Sequence, residues 1–331
     1  MRAAITAISY HLPEDILTGE DLAAEFPDWN LAKIEKKTGI KARHIARKGE
    51  LSSDLAFEAA EKLFASGDCD RNDIDFLIFC TQSPDYVLPA TACVLQDRLK
   101  LPITAGALDI NQGCTGFIYG LSLAKGLIES QQAQRVLLLT AETYSKYMRK
   151  EDRSVRSIFG DGAAATIIEG KENLSEDSIG PFVFGTDGKG AKNLKVCGSG
   201  LRSQECAVDD DGAKGLFMNG PEVFNFTLRA VPQCIDDLLN RASISQDDVD
   251  LFIFHQANRH MLQHLRDKIN IPEEKFVISL EQSGNTVSST IPIALKESQD
   301  QNRIKTGSRI VLVGFGVGYS WGSTLIRWNS T

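Results

Sequence analysis

An α/β fold built from two similar halves is what this sequence predicts, and three observations carry the prediction. Apolar strand-like runs alternate with amphipathic helix-like stretches, the pattern of mainly parallel, buried sheets covered by helices. Segments of the first half return in the second at a common offset of about 175 residues, a period far too long for a solenoid and suited to an internal duplication. Polar, glycine-bearing clusters stand directly after several apolar runs, where folds of this class gather their ligands.

Taken in order, Met1-Arg-Ala-Ala-Ile-Thr-Ala-Ile-Ser9 reads as a strand, and Tyr10-His11 interrupts it too early for a signal peptide. Residues 53–64 put Leu55, Ala56, Ala59, Ala60 and Leu63 on one helical face, with Ser52 or Ser53 as cap. Ile74–Cys80 is a buried strand. Ala107–Ile110 is a short one, and Asn111-Gln-Gly-Cys-Thr-Gly-Phe117 leads from it into a helix carrying Ile118, Leu121, Leu123, Ala124 and Leu127. Arg135–Thr140 is the next strand. In the second half Phe224–Asn240 repeats the first helix and Val249–Phe254 repeats the strand Ile74–Cys80. Phe276–Leu280 is a further strand, and Arg309–Gly314 repeats Arg135–Thr140.

The composition narrows the function. The chain has 331 residues, 42% hydrophobic and 24% charged, ordinary values for a globular protein. No apolar run approaches the roughly 20 residues of a membrane span. A net charge of −8 argues against bulk nucleic-acid binding. The seven cysteines (Cys69, Cys80, Cys93, Cys114, Cys197, Cys206 and Cys234) are odd in number and form no CxxC pair. Reduced thiols and a cytoplasmic location follow as the expectation. His260 and His264 share a helical face, but Met261 follows His260, so the HExxH zinc pattern is absent and no metal site is expected.

Three residues at strand ends are candidates for chemistry. Cys114 sits at a strand-to-helix junction between Gly113 and Gly116; glycine permits a tight turn, and a helix N-terminus favours a thiolate. The alternative is a buried structural cysteine. His255 follows its strand at once in His-Gln-Ala-Asn258, as a functional side chain or a helix cap. Asn285, in Gln282-Ser-Gly-Asn-Thr286, offers non-titrating N–H donors or simple loop chemistry. The glycine-rich Val313–Gly322 can present backbone N–H groups to a phosphate or an oxyanion. It lacks the context of a dinucleotide fingerprint.

Together these segments resemble the β-ketoacyl-acyl carrier protein synthase III family of thiolase-like condensing enzymes. The resemblance rests on Lys37-Thr-Gly-Ile-Lys-Ala-Arg-His44, Cys114-Thr-Gly-Phe117, Ile158-Phe-Gly-Asp-Gly-Ala163, His255-Gln-Ala-Asn258, Gly284-Asn-Thr286 and Gly314–Gly322. The order Cys, His, Asn separates this branch from thiolases, with Cys-His-Cys, and from elongating synthases, with Cys-His-His. The resemblance implies a thiolase-like fold, internally duplicated, layered αβαβα with two mixed sheets. Residues 1–170 are then the half carrying the cysteine, and residues 171–331 the half carrying the histidine and asparagine.

The implied reaction is a decarboxylating Claisen condensation of an acyl-CoA primer with malonyl-acyl carrier protein through an acyl-cysteine. Cys114, His255 and Asn285 are its expected catalytic residues, with Gly316 and Val317 in the oxyanion loop. Lys37, Arg153 and Asn258 match CoA contacts; Met218, Gly220 and Phe224 match the tunnel wall; Arg259 matches a carrier-protein contact. Leu88 matches a residue that reaches the partner subunit's acyl pocket, so a homodimer is implied. No cofactor is needed, since acyl-CoA and malonyl-acyl carrier protein are substrates. The alternative is a relative that passes the acyl group to a hydroxyl, an amine or another acceptor. Two departures stand out: Lys33 holds the place of an adenine-stacking tryptophan, with Trp29 four residues earlier, and Val317 replaces a glycine. Acyl carrier protein is acidic, as is this chain, but lysines and arginines crowd residues 33–48 and 146–156 and would steer such a partner if they share a face.

Overall fold

The computed structural model describes residues 1–172, 174, 176–201 and 215–329; Cys206 lies outside the described residues. The chain runs β1 (Arg2–His11), β2 (Asp15–Thr18), α1 (Gly19–Glu25), α2 (Leu31–Thr38), β3 (Ala42–Ile45), α3 (Ser52–Ala65), β4 (Phe76–Cys80), α4 (Thr91–Arg98) and β5 (Gly106–Ile110). It continues through α5 (Gly116–Glu129), β6 (Arg135–Glu142), α6 (Arg153–Arg156), β7 (Gly162–Lys171), β8 (Ile179–Thr186), β9 (Leu194–Cys197) and β10 (Gly215–Met218). The last elements are α7 (Gly220–Ala242), β11 (Leu251–Phe254), α8 (Arg259–Ile269), α9 (Thr290–Asp300), β12 (Arg309–Gly316) and β13 (Ser320–Arg327).

Two sheets form the frame, ordered β1-β7-β6-β4-β5 and β11-β12-β13-β8. Both are mixed rather than mainly parallel. β4 runs parallel to β5 and β6, and β11 parallel to β12; β1, β7, β13 and β8 enter antiparallel. The β12–β13 pair is a hairpin, whose short connection requires antiparallel pairing, whereas β1 with β7 and β8 with β13 pair antiparallel across long stretches of chain. Helices α3 and α4 cover the outer face of the first sheet, α5 and α9 lie between the sheets, and α7 with α8 covers the outer face of the second. This is the layered αβαβα arrangement of a thiolase-like fold.

Alternation along each strand explains the uninterrupted apolar runs. In β4, Leu77 and Phe79 pack with Leu55 and Leu63 of α3, while Ile78 packs with Phe117 and Leu121 of α5. Both faces of the strand are covered, so every position is apolar. Each fully buried aliphatic or aromatic side chain contributes ~1.5–3 kcal/mol.

Three expectations change. Phe276–Leu280 is no strand: only Phe276 bridges Phe252. The Gln256 side chain takes over, its Oε1 accepting from Ser279 N–H at 2.7 Å and its Nε2 donating to Val277 O at 3.3 Å. A side-chain amide thus satisfies backbone groups that a ladder would otherwise pair. Leu123, one of the apolar residues of the helix after Cys114, is 45% exposed rather than part of its buried face. The glycine-rich Val313–Gly322 is mostly β-hairpin, the end of β12 and the start of β13, rather than an open loop.

Candidate active site

Cys114 precedes α5 and is 6% exposed. Its turn closes through Gly116 N–H to Gly113 O at 2.7 Å. Glycine is required on both sides of it. A Cβ on Gly116 would stand 2.2 Å from Cys80 Sγ, and one on Gly316 2.8 Å from Cys114 Sγ. The backbone N–H groups of Cys114 and Val317 face the thiol. Thr115 Oγ and Ser320 Oγ, 2.9 Å apart, tie the nucleophile turn to the β12–β13 hairpin.

His255 continues the parallel pairing of β11 with β12, its N–H donating to Val313 O at 2.7 Å. The ring is 2% exposed, with Nδ1 2.7 Å from Thr290 Oγ. Asn285 is clamped by the Phe-Gly segment before β7: its N–H donates to Ile158 O at 2.9 Å and its carbonyl accepts from Gly160 N–H at 3.1 Å. Its Oδ1 accepts from Val287 N–H at 2.9 Å. That bond turns Nδ2 toward His255 Nε2, 3.4 Å away.

Burial pushes the Cys114 thiol up to about 12, with the nearby Glu142 adding to the rise. Burial thus works against the thiolate that the helix N-terminus favours. Burial also lowers His255 to about 3, so its imidazole is neutral.

A cavity of about 760 Å³ opens from these three residues to the surface. Gly316 is in its wall beside Cys114, Met218, Gly220 and Phe224 form one side, and Lys37, Arg153 and Asn258 stand in it as well. Trp29 and Lys33, one turn apart at the start of α2, both line it.

Three expected positions lie off the cavity wall. Val317 is half-buried beneath the nucleophile, its Cγ1 packed toward Gly113. Leu88 is 80% exposed on the outer surface. Arg259 opens α8 beside Gly39, 3.7 Å from Glu281, and lines a smaller, separate groove. The basic clusters are partly neutralised, because Arg153 pairs with Asp28, Arg156 with Glu25, Arg47 with Glu14 and Asp15, and Lys41 with Glu281.

The sequence reading missed a buried network behind Cys114. Glu142 ends β6 with no exposure. Its carboxyl accepts from Gln82 N–H at 3.0 Å, Ser83 Oγ at 3.0 Å and Ser288 Oγ at 3.2 Å, and burial raises it to about 8. Tyr144, also buried, donates to Gln82 Oε1 at 2.5 Å and packs against Phe159. A lone glutamate at the end of an apolar strand carries no sequence signal of burial. Among the described residues no group of histidines, cysteines and carboxylates is placed to hold a metal ion.

Comparison with known proteins decides the family. Residues 108–188 match the family described as 3-Oxoacyl-[acyl-carrier-protein (ACP)] synthase III, and residues 239–328 match its C-terminal part. This chain belongs to the β-ketoacyl-acyl carrier protein synthase III family. It is 37% identical over 327 residues to a β-ketoacyl-[acyl-carrier-protein] synthase III of Halalkalibacterium halodurans, covering 99% of this chain and 97% of that one. It is likewise 37% identical to the Campylobacter fetus protein of that name, covering 98% of each. A crystal structure of a 3-oxoacyl-(acyl-carrier-protein) synthase III superposes with a TM-score of 0.96 at 51% identity, covering 99% of this chain and 100% of that one. The chain is an acyltransferase, a condensing enzyme of the synthase III type.

Proposed function

We propose that Cys114 takes an acyl group from acyl-CoA and passes it to the carbanion of a decarboxylated malonyl-acyl carrier protein. The observation that carries this is the convergence of two donor pairs on one cavity. The N–H groups of Cys114 and Val317 lie at the sulfur, and His255 and Asn285 lie together in the wall of the same cavity.

In the first half-reaction the Cys114 sulfur bonds to the thioester carbonyl carbon, the bond to CoA sulfur breaks, and the thiol proton leaves with CoA. The tetrahedral oxyanion is held by the two backbone N–H groups. Val317 serves as well as glycine here, because only its N–H is used. In the second half-reaction the malonyl carboxylate departs as CO2 and its electron pair passes onto the thioester. His255 and Asn285 donate to the enolate oxygen, and the carbanion attacks the acyl-cysteine carbonyl. The released Cys114 sulfur recovers a proton from solvent. One well-placed oxyanion donor is worth about 10²–10³ in rate. None of these steps calls on a cofactor.

Met218, Gly220 and Phe224 wall the pantetheine channel in this reading. Lys37 and Asn258 hold phosphate and amide groups, and Trp29 stands in for the tryptophan missing at Lys33. Arg153, which packs on Phe26 at 4.6 Å, offers a flat cation beside the same mouth. Arg259 is the carrier-protein contact. The enzyme works in the cytoplasm as a homodimer of chains divided near residue 170 into two thiolase-like halves. Tyr86, Val87 and Leu88 support the dimer: they are 61%, 99% and 80% exposed in one continuous apolar stretch, which a second copy would cover. No helix among the described residues is long and apolar enough to cross a membrane.

The test is intact-mass analysis after incubation with a panel of acyl-CoAs, then addition of malonyl-acyl carrier protein. The reading expects one acyl adduct, removed by the malonyl carrier with formation of the 3-oxoacyl product. An adduct discharged equally well by a hydroxyl or amine acceptor would place the enzyme with the alternative.

A further inference from the structure

His255 can donate to an enolate oxygen only if its single ring proton sits on Nε2. A neutral imidazole has one N–H, and its location is set by what the other nitrogen meets. Nδ1 meets Thr290, the first residue of α9, whose side chain is 3% exposed, and the Val287 backbone carbonyl also faces the ring and competes for its proton. Thr290 Oγ is 2.7 Å from His255 Nδ1 and 3.1 Å from Val287 O. The hydroxyl has one proton and these two acceptors within reach, and the imidazole nitrogen is the nearer.

Two further observations bear on the choice. Asn285 Nδ2 faces His255 Nε2 at 3.4 Å, long for an N–H···N bond. Because Oδ1 is occupied by Val287 N–H, the group facing Nε2 is a donor. With the ring proton on Nε2, an oxygen between the two nitrogens would meet two donors; with Nε2 bare, Asn285 Nδ2 would donate to it instead. Val287 itself holds φ +55°, a left-handed conformation costly for a β-branched residue. That turn brings its N–H to Asn285 and its carbonyl to the Thr290 hydroxyl.

We propose that Thr290 is a positioning residue: its hydroxyl donates to His255 Nδ1 and so keeps the ring proton on Nε2, aimed with Asn285 Nδ2 at the enolate oxygen. Without the hydroxyl, Nδ1 takes the proton and donates to Val287 O. Nε2 then presents a lone pair that accepts from Asn285, filling the hole and repelling an incoming oxyanion. This inference rests on the reading of His255 as a donor, yet it is measurable without any substrate.

The experiment is ¹⁵N NMR of histidine-labelled enzyme, wild type, Thr290→Ser and Thr290→Val, alongside separate assays of acyl-cysteine formation and malonyl decarboxylation. Wild type and Thr290→Ser are expected to show a bare Nδ1 and a protonated Nε2. Thr290→Val, nearly the same shape without the hydroxyl, is expected to show the reverse and to lose about 10²-fold in decarboxylation. Its acyl-cysteine formation should decline far less, and Thr290→Ser should retain both half-reactions. The proposal is overturned if the wild-type proton resides on Nδ1, if Thr290→Val leaves the tautomer unchanged, or if both half-reactions fall together. Should Thr290→Val not fold, the wild-type and Thr290→Ser spectra still decide. A protein that forms no acyl-cysteine but shows the expected spectra would sink the functional reading and leave this one standing.

Discussion

The ends of β4 and β11 occupy equivalent places in the two sheets, and both are followed by polar residues with different fates. After β4 come Thr81, Gln82 and Ser83, and their backbone and hydroxyl groups close on the buried Glu142 and on one another. After β11 comes His255, whose Nδ1 lies 2.7 Å from the Thr290 hydroxyl and whose Nε2 turns to the cavity. The first cluster is satisfied by protein and stiffens the floor behind Cys114. The second turns side-chain nitrogens into an open cavity, where a ligand oxygen can meet them. One layered frame thus gives a sealed polar cluster and an open one, and the open one is where negative charge can be received.

The comparison breaks most completely at the nucleophile. Cys114→Ser is expected to abolish the acyl mass adduct while keeping the circular-dichroism spectrum and melting cooperativity of the wild type. A persisting adduct at another residue would remove Cys114 from the mechanism.

The sealed cluster predicts a pH effect on stability. Glu142 titrates at about 8 in the fold and near 4.3 when unfolded. A raised folded value means the neutral carboxyl is favoured by folding. Its contribution is whole below the unfolded value and is lost as pH rises through about 8. Glu142→Gln should remove this dependence, so that urea unfolding from pH 5 to pH 9 shows the variant gaining on the wild type as pH increases. Parallel curves would mean that the carboxyl keeps its ordinary value. His255 has the opposite sense. Its lowered folded value of about 3 stabilises the fold above pH ~6.5 and is lost on acidification between these values.

The smallest expected effect sharpens the boundary of the open pocket. The family resemblance implies that residue 88 reaches the partner subunit's acyl pocket, where leucine would leave more depth than phenylalanine. Each additional buried methylene is worth up to about 0.8 kcal/mol. Medium-length primers should therefore be accepted beside acetyl-CoA, and Leu88→Phe should suppress the longer ones selectively. Competition assays with mixed acyl-CoAs measure the selectivity; equal loss for all primers would exclude Leu88 as a length determinant.

Much of this was legible in the sequence. The helix over residues 53–64 and the strands ending at Cys80, Phe254 and Gly314 are read from apolar periodicity, because both faces of each strand are covered. Cys114, His255 and Asn285 stand out because each follows an apolar run at a glycine or a polar cluster. Phe276–Leu280 misled because its apolar pattern is that of a strand, while the Gln256 side chain supplies its hydrogen bonds. Glu142, Thr290 and Tyr144 were invisible because their significance lies in contacts across 59 to 146 residues for the glutamate, 35 for the threonine and 62 for the tyrosine. No local pattern encodes separations of that size.

The division between nucleophile and donors is tested most directly by measuring acyl-cysteine formation and malonyl-carrier decarboxylation side by side in Cys114→Ser, His255→Ala and Asn285→Ala. The account predicts that Cys114→Ser forms no adduct yet still releases CO2 from the malonyl carrier. It predicts that His255→Ala and Asn285→Ala form the adduct but lose about 10² or more in decarboxylation. Wild-type decarboxylation in either donor variant would contradict it.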